Sequence, residues 1–350
     1  ETGAYIHDEG WNVEIAIPFS QLRFREAEEM NWGINFGRNI TRLNGAAQWV
    51  PVPRSEFHMG TFRPTYTAPL TGIRGIRSSS HLDVKPYVVG GGSEEFDEDT
   101  GVWCNAFERD IGLDVKYGVT SNLTLDVTVN TDFAQVESDR EEVNLTRFDL
   151  FFPEKREFFL EGSGMFSFGA GGDFSPDMSL FYSRRIGIDE EEETLVPVLG
   201  GTKLTGKMGP YSLGALTVLT DETEFSPRRS YSVLRVQRDI LRRSQMGAIL
   251  TSQQPVNGDG DAYARNAGVD ITLRPTDQWR VDGMVAGSAT PDPNESGLAM
   301  YAANNWRNDN FRVSASYLDI APEFTAKTGF VQREDMRRFR FSGSAEAHPD

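Results

Sequence analysis

Apolar and polar side chains alternate along many short stretches of this chain from about residue 81 onward. In one stretch Leu123, Leu125 and Val127 alternate with polar residues, and in another Val269 and Ile271 do so. Side chains on a β-strand point to opposite faces with a period of two, so each stretch would present one apolar and one polar face. The pattern predicts an all-β, antiparallel domain of roughly a dozen strands, the first over residues 81–90.

The connections between these stretches alternate between two kinds. Short turns are expected at 118–122, 207–210, 239–243, 274–278 and 307–310. Longer, acidic, Gly/Pro-rich loops are expected at 94–101, 189–194, 221–227, 255–261 and 291–296. Short turns at one end and long loops at the other are typical of an outer-membrane β-barrel. A soluble sandwich or propeller is the alternative, but the repeating blade motif of a propeller is missing.

The chain divides into three parts. Residues 1–60 carry a few short alternating runs and are predicted to be the C-terminal part of a β-sandwich module. Residues 61–80 are rich in Thr, Pro, Gly and Ser, which predicts a linker, and 81–350 form the barrel domain. The sequence opens at Glu1 without a signal peptide and ends directly after a strand-like run. We therefore expect a fragment of a longer exported protein, with an incomplete barrel.

One long stretch, residues 137–175, interrupts the strand pattern. It opens with Ser138 and Glu141 in the spacing of a capping box, which predicts a helix running toward Phe152 and stopping before Pro153. A patternless stretch of this length inside a regular meander is seldom a plain loop. We expect this insert to pack against the concave face of the sheet or across one mouth; a surface excursion is the alternative.

The composition excludes one class of partner. The formal net charge is −17 at pH 7, which argues against nucleic acid, because a nucleic-acid-binding protein needs a basic stripe. No stretch approaches the roughly 18 apolar residues of a membrane helix, and a barrel needs none. The single cysteine excludes an internal disulfide.

Arginines lie on the predicted strands, although the chain is acidic. An arginine facing lipid at the membrane midplane costs roughly 2–4 kcal/mol, so strand arginines should face the interior of a barrel. Arg235 alternates with apolar neighbours as this requires. We predict that Arg235 and Arg184 face the interior, where acidic insert residues such as Glu154 and Glu157 would be their partners.

Several blocks resemble one bacterial family. The blocks are VNTDFAQVE at 129–137, FFPEKREFFLEG at 151–162, GWNVEIAIPF at 10–19, PLTGI at 69–73 and YSRRIG at 182–187. They resemble proteins that join an N-terminal module like carbohydrate-binding module family 9 to a barrel-type domain of unknown function, DUF5916. The resemblance implies an outer-membrane barrel with a periplasmic, sugar-binding-like module. It implies no reaction.

Sugar-binding candidates lie in the first 60 residues. Trp49 follows the turn-like Asn44 and Gly45, so it is the aromatic best placed to stack on a sugar ring, with Arg38 and Asn44 as weaker candidates. Trp32 lies in phase with the apolar residues of its strand and is interpreted as a core residue.

Catalytic and metal-binding patterns are scarce. Four scattered histidines lack zinc-site spacing, and no pair of carboxylates stands out for glycoside hydrolysis. The pairs Asp97/Asp99 and Asp259/Asp261 are weak candidates for Ca²⁺, because neither loop completes an EF-hand pattern. The alternatives are solvated loops, or cation bridges to lipopolysaccharide phosphates. No other cofactor is expected.

These observations predict an outer-membrane protein with its module in the periplasm, serving glycan binding or uptake. The expected partners are outer-membrane lipid and lipopolysaccharide, together with an oligo- or polysaccharide. Two alternatives stay open: a secreted or membrane-associated carbohydrate-active hydrolase of O-glycosyl bonds, and a purely structural barrel.

Overall fold

The computed structural model describes most of the chain in two compact units. The described residues are 1–8, 10–19, 22, 24, 27–52, 65–76, 82–97, 102–131, 144–145, 147–172, 175–188, 196–223, 226–256 and 262–346. The first unit comprises 1–81 with 118–122, and the second comprises 82–117 with 123–350. The fold is all-β and antiparallel, as the sequence predicts.

The described residues of the first unit form three pairs of strands. They are β1 (Thr2–His7) with β2 (Gly10–Ile15), β3 (Glu29–Ile34) with β6 (Ala68–Arg74), and β4 (Gly37–Ile40) with β5 (Gly45–Gln48). Strand β6 lies inside the stretch predicted as a linker. Proline and glycine usually interrupt strands, but both fit this two-stranded ladder. Pro69 has no backbone N–H to donate, which an edge strand tolerates, and Gly72 adopts a φ of +85°.

The second unit is built on one large sheet. Its strands are β7 (Leu82–Asp97), β8 (Val102–Thr120), β9 (Leu123–Val129), β12 (Val198–Met208), β13 (Tyr211–Thr220), β14 (Arg229–Ile240), β15 (Ser244–Pro255), β16 (Ala264–Thr276), β17 (Trp279–Ala289), β18 (Leu298–Arg307), β19 (Phe311–Ile320) and β21 (Met336–Ala345). The intervening β10 (Gly169–Gly172) and β11 (Ser175–Ser179) pair with β20 (Phe330–Val331) in a separate small sheet.

The large sheet is an antiparallel meander. Its spatial order follows the chain from β7 to β21, skipping only the strands of the small sheet, and its twelve strands confirm the number predicted. The short connections, such as Gly209–Pro210 and Asp277–Gln278, lie at one end of the sheet, and the long loops lie at the other. Within the described part of the chain, the terminal strands β7 and β21 are not paired with each other.

Two segments between strands pack on one face of this sheet, and we call them the covering layer. They are the described residues of 144–188, between β9 and β12, and of 321–335, between β19 and β21. The layer includes the helix α1 (Glu157–Leu160) and two 3-10 helices, Ser163–Phe166 and Ser183–Arg185. Its side chains share one hydrophobic core with the sheet: Phe159, Phe166, Phe168, Met178, Leu180, Ile186 and Phe324 pack against Leu216, Val218, Val233, Ile249 and Leu318.

The layer differs from the predicted insert in its helix and its extent. The predicted helix toward Phe152 is wrong over residues 147–152, which are not helical. Residues 132–143 lie outside the described part of the chain. The Tyr182 hydroxyl donates a hydrogen bond to the Phe152 carbonyl oxygen at 2.7 Å and accepts one from the Phe152 N–H at 3.1 Å. These two bonds hold the backbone extended at this point. Helix α1 begins only after Pro153. The four phenylalanines beside Pro153, at positions 151, 152, 158 and 159, are all buried or half-buried.

Among the described residues, no helix has the length and apolar character needed to cross a membrane.

Candidate functional site

The two faces of the large sheet have opposite chemistry. We call the face under the covering layer the covered face and the opposite one the open face. On β9, Thr124, Asp126 and Thr128 are buried on the covered face, whereas Leu125 and Val127 lie on the open face. This is the period-two alternation that the sequence predicts, with the polar set turned toward the protein interior.

The open face is apolar and exposed. Its large apolar side chains lie on nearly every strand, and their exposed fractions reach 78% for Val88 and 71% for Ile111 and Phe339. The row Leu204, Ala215, Leu234, Leu250 and Ala267 runs directly across five neighbouring strands, so the patch is continuous. Other members are Val84, Val129, Val236, Val269, Val285, Leu298, Met300 and Phe341. Soluble monomers rarely expose a continuous apolar patch of this kind.

Aromatic side chains border the open face beside the short turns. Tyr211, Trp279 and Phe311 each begin a strand there and are 42%, 42% and 53% exposed. Trp306 lies opposite Trp279 in the ladder. Tyrosine and tryptophan suit a boundary between an apolar and a wet environment, because each has an apolar body and a polar tip.

A buried lysine joins the covered face to the covering layer. Lys203 of β12 is 2% exposed, and its Nζ donates to the carbonyl oxygens of Phe158 (2.5 Å) and Glu161 (2.8 Å). Its Nζ also lies 3.4 Å from a carboxylate oxygen of Asp126. On β8, which lies beyond β9 in the sheet, Lys116 forms an ion pair with the Glu161 side chain. Buried charges need partners of this kind, because an unpaired charge in the interior is very costly.

Arg235 lies on the covered face, and its charge partner is a strand residue rather than an acidic residue of the insert. Its Nη1 and Nη2 donate to the two oxygens of Asp270 on β16, at 2.6 and 2.7 Å. The covering layer contributes the Phe168 ring, 5.2 Å from the guanidinium, rather than a carboxylate. The pair spans β15 at Gly247, where a Cβ would lie 2.7 Å from Nη1 of Arg235. Because Gly247 has no side chain, Arg235 can reach across β15 to Asp270.

Glu154 and Glu157, the acidic candidates of the insert, form ion pairs with residues other than Arg235 and Arg184. Glu154 accepts from Nε and Nη2 of Arg156 at 2.9 and 2.7 Å and from the Ser183 hydroxyl at 2.5 Å. Burial alone would raise the pKa of the Glu154 carboxyl, but the hydrogen bonds and charge of Arg156, with Ser183, outweigh it and hold this pKa below its usual range. Arg184 is not on a strand; it lies in the covering layer, and its Nη1 donates to Pro153 at 3.2 Å.

Ion pairs join the covering layer to β7 and β21, the strands at the two edges of the sheet. Glu157 lies 3.0 Å from Lys85 on β7, in an exposed pair. Asp177 forms a bidentate pair with Arg338 on β21, one bond of which is 2.7 Å long. Sequence reasoning missed Lys203, Asp126, Asp177 and Arg338. Lys203 and Asp126 had a usable signal, because each is a charged residue in phase with the buried side of its strand.

The sugar candidates do not converge. Trp49 is 61% exposed and packs its ring against Phe36 at 5.6 Å. Asn44 lies at the tip of the β4–β5 hairpin, at the end opposite Trp49. The Arg38 guanidinium lies 5.1 Å from the Trp11 ring. Trp32 is half-buried and packs against Phe19 and Phe24, in line with its interpretation as a core residue: the ring distances are 5.8 and 5.4 Å.

Three of the four calcium candidates lie outside the described residues. They are Asp99, Asp259 and Asp261, and the side chain of the fourth, Asp97, lies outside them as well. Among the residues that are described, no group of three or more His, Cys, Asp or Glu side chains is arranged to hold a metal ion.

Comparison with known proteins gives one match. Residues 79–197 match the family model described as Domain of unknown function (DUF5916), a stretch that includes β7 to β11 and most of the covering layer. This confirms the DUF5916 part of the resemblance over those residues. The chain has no significant match among curated proteins and none among solved structures.

Proposed function

We propose that this protein is a bacterial outer-membrane β-barrel protein whose wall is the large sheet. The observation that carries the proposal is the open face, where apolar side chains are exposed side by side from β7 to β21. Charged groups such as Lys203 and Arg235 are buried on the other face. A transmembrane barrel has this distribution, with an apolar band toward lipid and polar residues toward the interior.

In this proposal the covering layer fills the interior of the barrel. It packs against the inner face from β12 to β19 and is tied by ion pairs to β7, β8 and β21. The layer would narrow the interior, so passage of a large solute would require it to move. The short turns would face the periplasm and the long acidic loops the exterior, where lipopolysaccharide is the neighbouring lipid.

Fractionation of the full-length protein in its natural host tests the proposal. We expect it in the outer membrane, resistant to extraction by high salt. Before heating it should migrate on SDS gels as a compact folded species, and after heating as an unfolded chain. Recovery in the soluble periplasm after gentle lysis would overturn the proposal.

A second candidate function, glycan binding by the first unit, is favoured by its exposed tryptophans. Trp11 and Trp49 are 52% and 61% exposed, and each packs against one flat partner, Arg38 and Phe36 respectively. We predict that Trp49→Ala weakens glycan binding by the full-length protein by about 1–3 kcal/mol, with Trp32→Phe as a core control. Calorimetry against oligosaccharides measures the loss; unchanged affinity with an intact fold removes Trp49 from the site.

A further inference from the structure

Two grooves cross the open face of the large sheet. The first, of about 760 Å³, lies nearer the long loops and includes Leu234, Leu250 and Arg265 in its lining. The second, of about 670 Å³, lies nearer the short turns and includes Tyr211 and Arg238. We call them the loop-end groove and the turn-end groove. Both are open along the surface of the sheet, and both linings are mainly apolar.

Small residues create the loop-end groove. Ala215 and Ala267 lie directly across from Leu234 and Leu250 in the ladder, so the surface is low beside two tall side chains. The next row toward the loops changes to hydroxyls and ends at the arginine: Thr202, Thr217, Ser232, Ser252 and Arg265 are successive ladder partners. An apolar trough therefore ends at hydrogen-bond donors and a positive charge.

The same pairing of arginine and tyrosine occurs at both grooves. The Arg265 guanidinium lies 4.6 Å from the ring centre of Tyr263, and that of Arg238 lies 5.5 Å from Tyr211. Within the described part of the chain, neither arginine has an ion-pair partner. Their charges are thus available for an anion, on a chain whose net charge is −17.

The two arginines lie at different heights on the open face. Arg238 aligns across the ladder with Ile271 of β16, six positions along that strand from Arg265. At about 3.4 Å per residue this is about 20 Å along the strand, or about 15 Å along the membrane normal for a strand tilted by about 40°. The apolar band of an outer-membrane barrel is about 25 Å tall, so each long arginine side chain could reach toward the nearer border of the band.

We propose that each groove binds one phosphate-bearing lipid, with an acyl chain in the apolar trough and the phosphate paired with Arg265 or Arg238. The occupant is lipopolysaccharide at the loop-end groove, toward the exterior, and an anionic phospholipid at the turn-end groove, toward the periplasm. This inference deepens the proposed function and rests on it. Arginine suits the role because its planar guanidinium forms paired hydrogen bonds with phosphate oxygens and stacks on an aromatic ring at the same time. The hydroxyl row would serve the headgroup of the loop-end lipid.

The test uses full-length protein reconstituted into nanodiscs of phosphatidylcholine containing a minor fraction of phosphatidylglycerol, a probe that carries the phosphate and acyl chains common to both lipids. Native mass spectrometry after release counts the lipids that remain bound. We expect two phosphatidylglycerol molecules on the wild type, one on Arg265→Gln or Arg238→Gln, and none on the double variant. Each single substitution should lower retention at its groove by about tenfold. Arg280→Gln, which removes an arginine from the covered face, should leave both lipids in place.

A second variant separates the chain from the headgroup. Ala267→Trp fills the loop-end trough while keeping Arg265, and should remove one bound lipid. Equal retention by wild type and the double variant, or equal retention of phosphatidylcholine, would overturn the inference and leave the proposed function standing. Failure of the wild type to insert into membranes at all would overturn the proposed function and this inference together. Compact migration before heating shows that each variant is folded.

Discussion

At the scale of single residues, a few charged side chains are buried where the sheet meets the covering layer. Arg235 is fully buried and Lys203 nearly so, yet each has oxygen acceptors at hydrogen-bond distance. Such pairs add little net stability relative to apolar replacements, but breaking one leaves an uncompensated buried charge. They should therefore act mainly in specifying one arrangement of sheet and layer.

Breaking the Arg235–Asp270 pair should be costly. Asp270→Leu leaves the Arg235 charge buried without a partner, and we expect the free energy of unfolding to fall by about 3–5 kcal/mol. Combining it with Arg235→Met should restore much of the loss. Urea unfolding in lipid vesicles measures both. If the double variant were as unstable as the sum of the single ones, the pair would not be coupled.

Glu154 predicts a pH dependence of stability. Its pKa is lowered in the folded protein, so its contribution is present above the unfolded-state pKa of about 4.3 and is lost as pH falls through the folded value. Glu154→Gln should cost about 1–3 kcal/mol at pH 7 and progressively less below about pH 4. Unfolding curves at several pH values test this. The exposed Glu157→Gln is the matched control, and an equal pH effect there would contradict the prediction.

At the scale of elements, glycines on the covered face seat the aromatic side chains of the covering layer. A Cβ at Gly214 would lie 2.9 Å from Phe166, and one at Gly268 would lie 2.4 Å from Phe168. The rings approach the strand backbone at these points because no side chain intervenes. Strands and layer thus fit each other through missing atoms as well as through buried ones.

Filling one of these positions should displace the layer. Gly268→Ala places a methyl group against Phe168 and Leu180, and we expect it to destabilise the protein by about 1–3 kcal/mol and to speed proteolysis within 147–188. Gly283→Ala on the open face is the control, because its nearest neighbour would be an ordinary 3.5 Å away. Limited proteolysis and unfolding measure both. Equal behaviour of the two variants would argue against a tightly seated layer.

At the scale of the whole molecule, the two faces of the sheet have separate tasks. The covered face holds the layer in place, and the open face is the surface proposed to meet lipid. The covered face also includes exposed positions beyond the layer, such as Asn305, which lies in a strand but contacts no lipid in the proposed arrangement.

A charge should discriminate between the two faces. Val269→Arg places a cation in the middle of the open face, where we expect a loss of about 2–4 kcal/mol and defective insertion into vesicles. Asn305→Arg on the covered face should insert normally. Gel migration before heating reports the inserted fraction. Equal insertion by the two variants would show that the open face does not meet lipid.

The sequence by itself determined the strands of the large sheet, their approximate number and the face to which each of their side chains points. This follows because the period-two alternation is a local property of extended backbone; Leu125 and Asp126 differ in face whatever surrounds them. The same alternation placed Arg235 on the face opposite its apolar neighbours, which is the covered face.

Tertiary structure decided which side chains contact one another on the covered face. Asp270 reaches Arg235 because two strands far apart in sequence lie on either side of Gly247, and no local pattern encodes that approach. The residues before Pro153 are extended rather than helical because Tyr182, some thirty positions later, holds the Phe152 backbone. The β6 strand likewise forms because β3 offers it a ladder. Long-range contacts outweigh local propensity at these points, since propensity differences of a few tenths of a kcal/mol are smaller than a buried hydrogen bond or a packed ring.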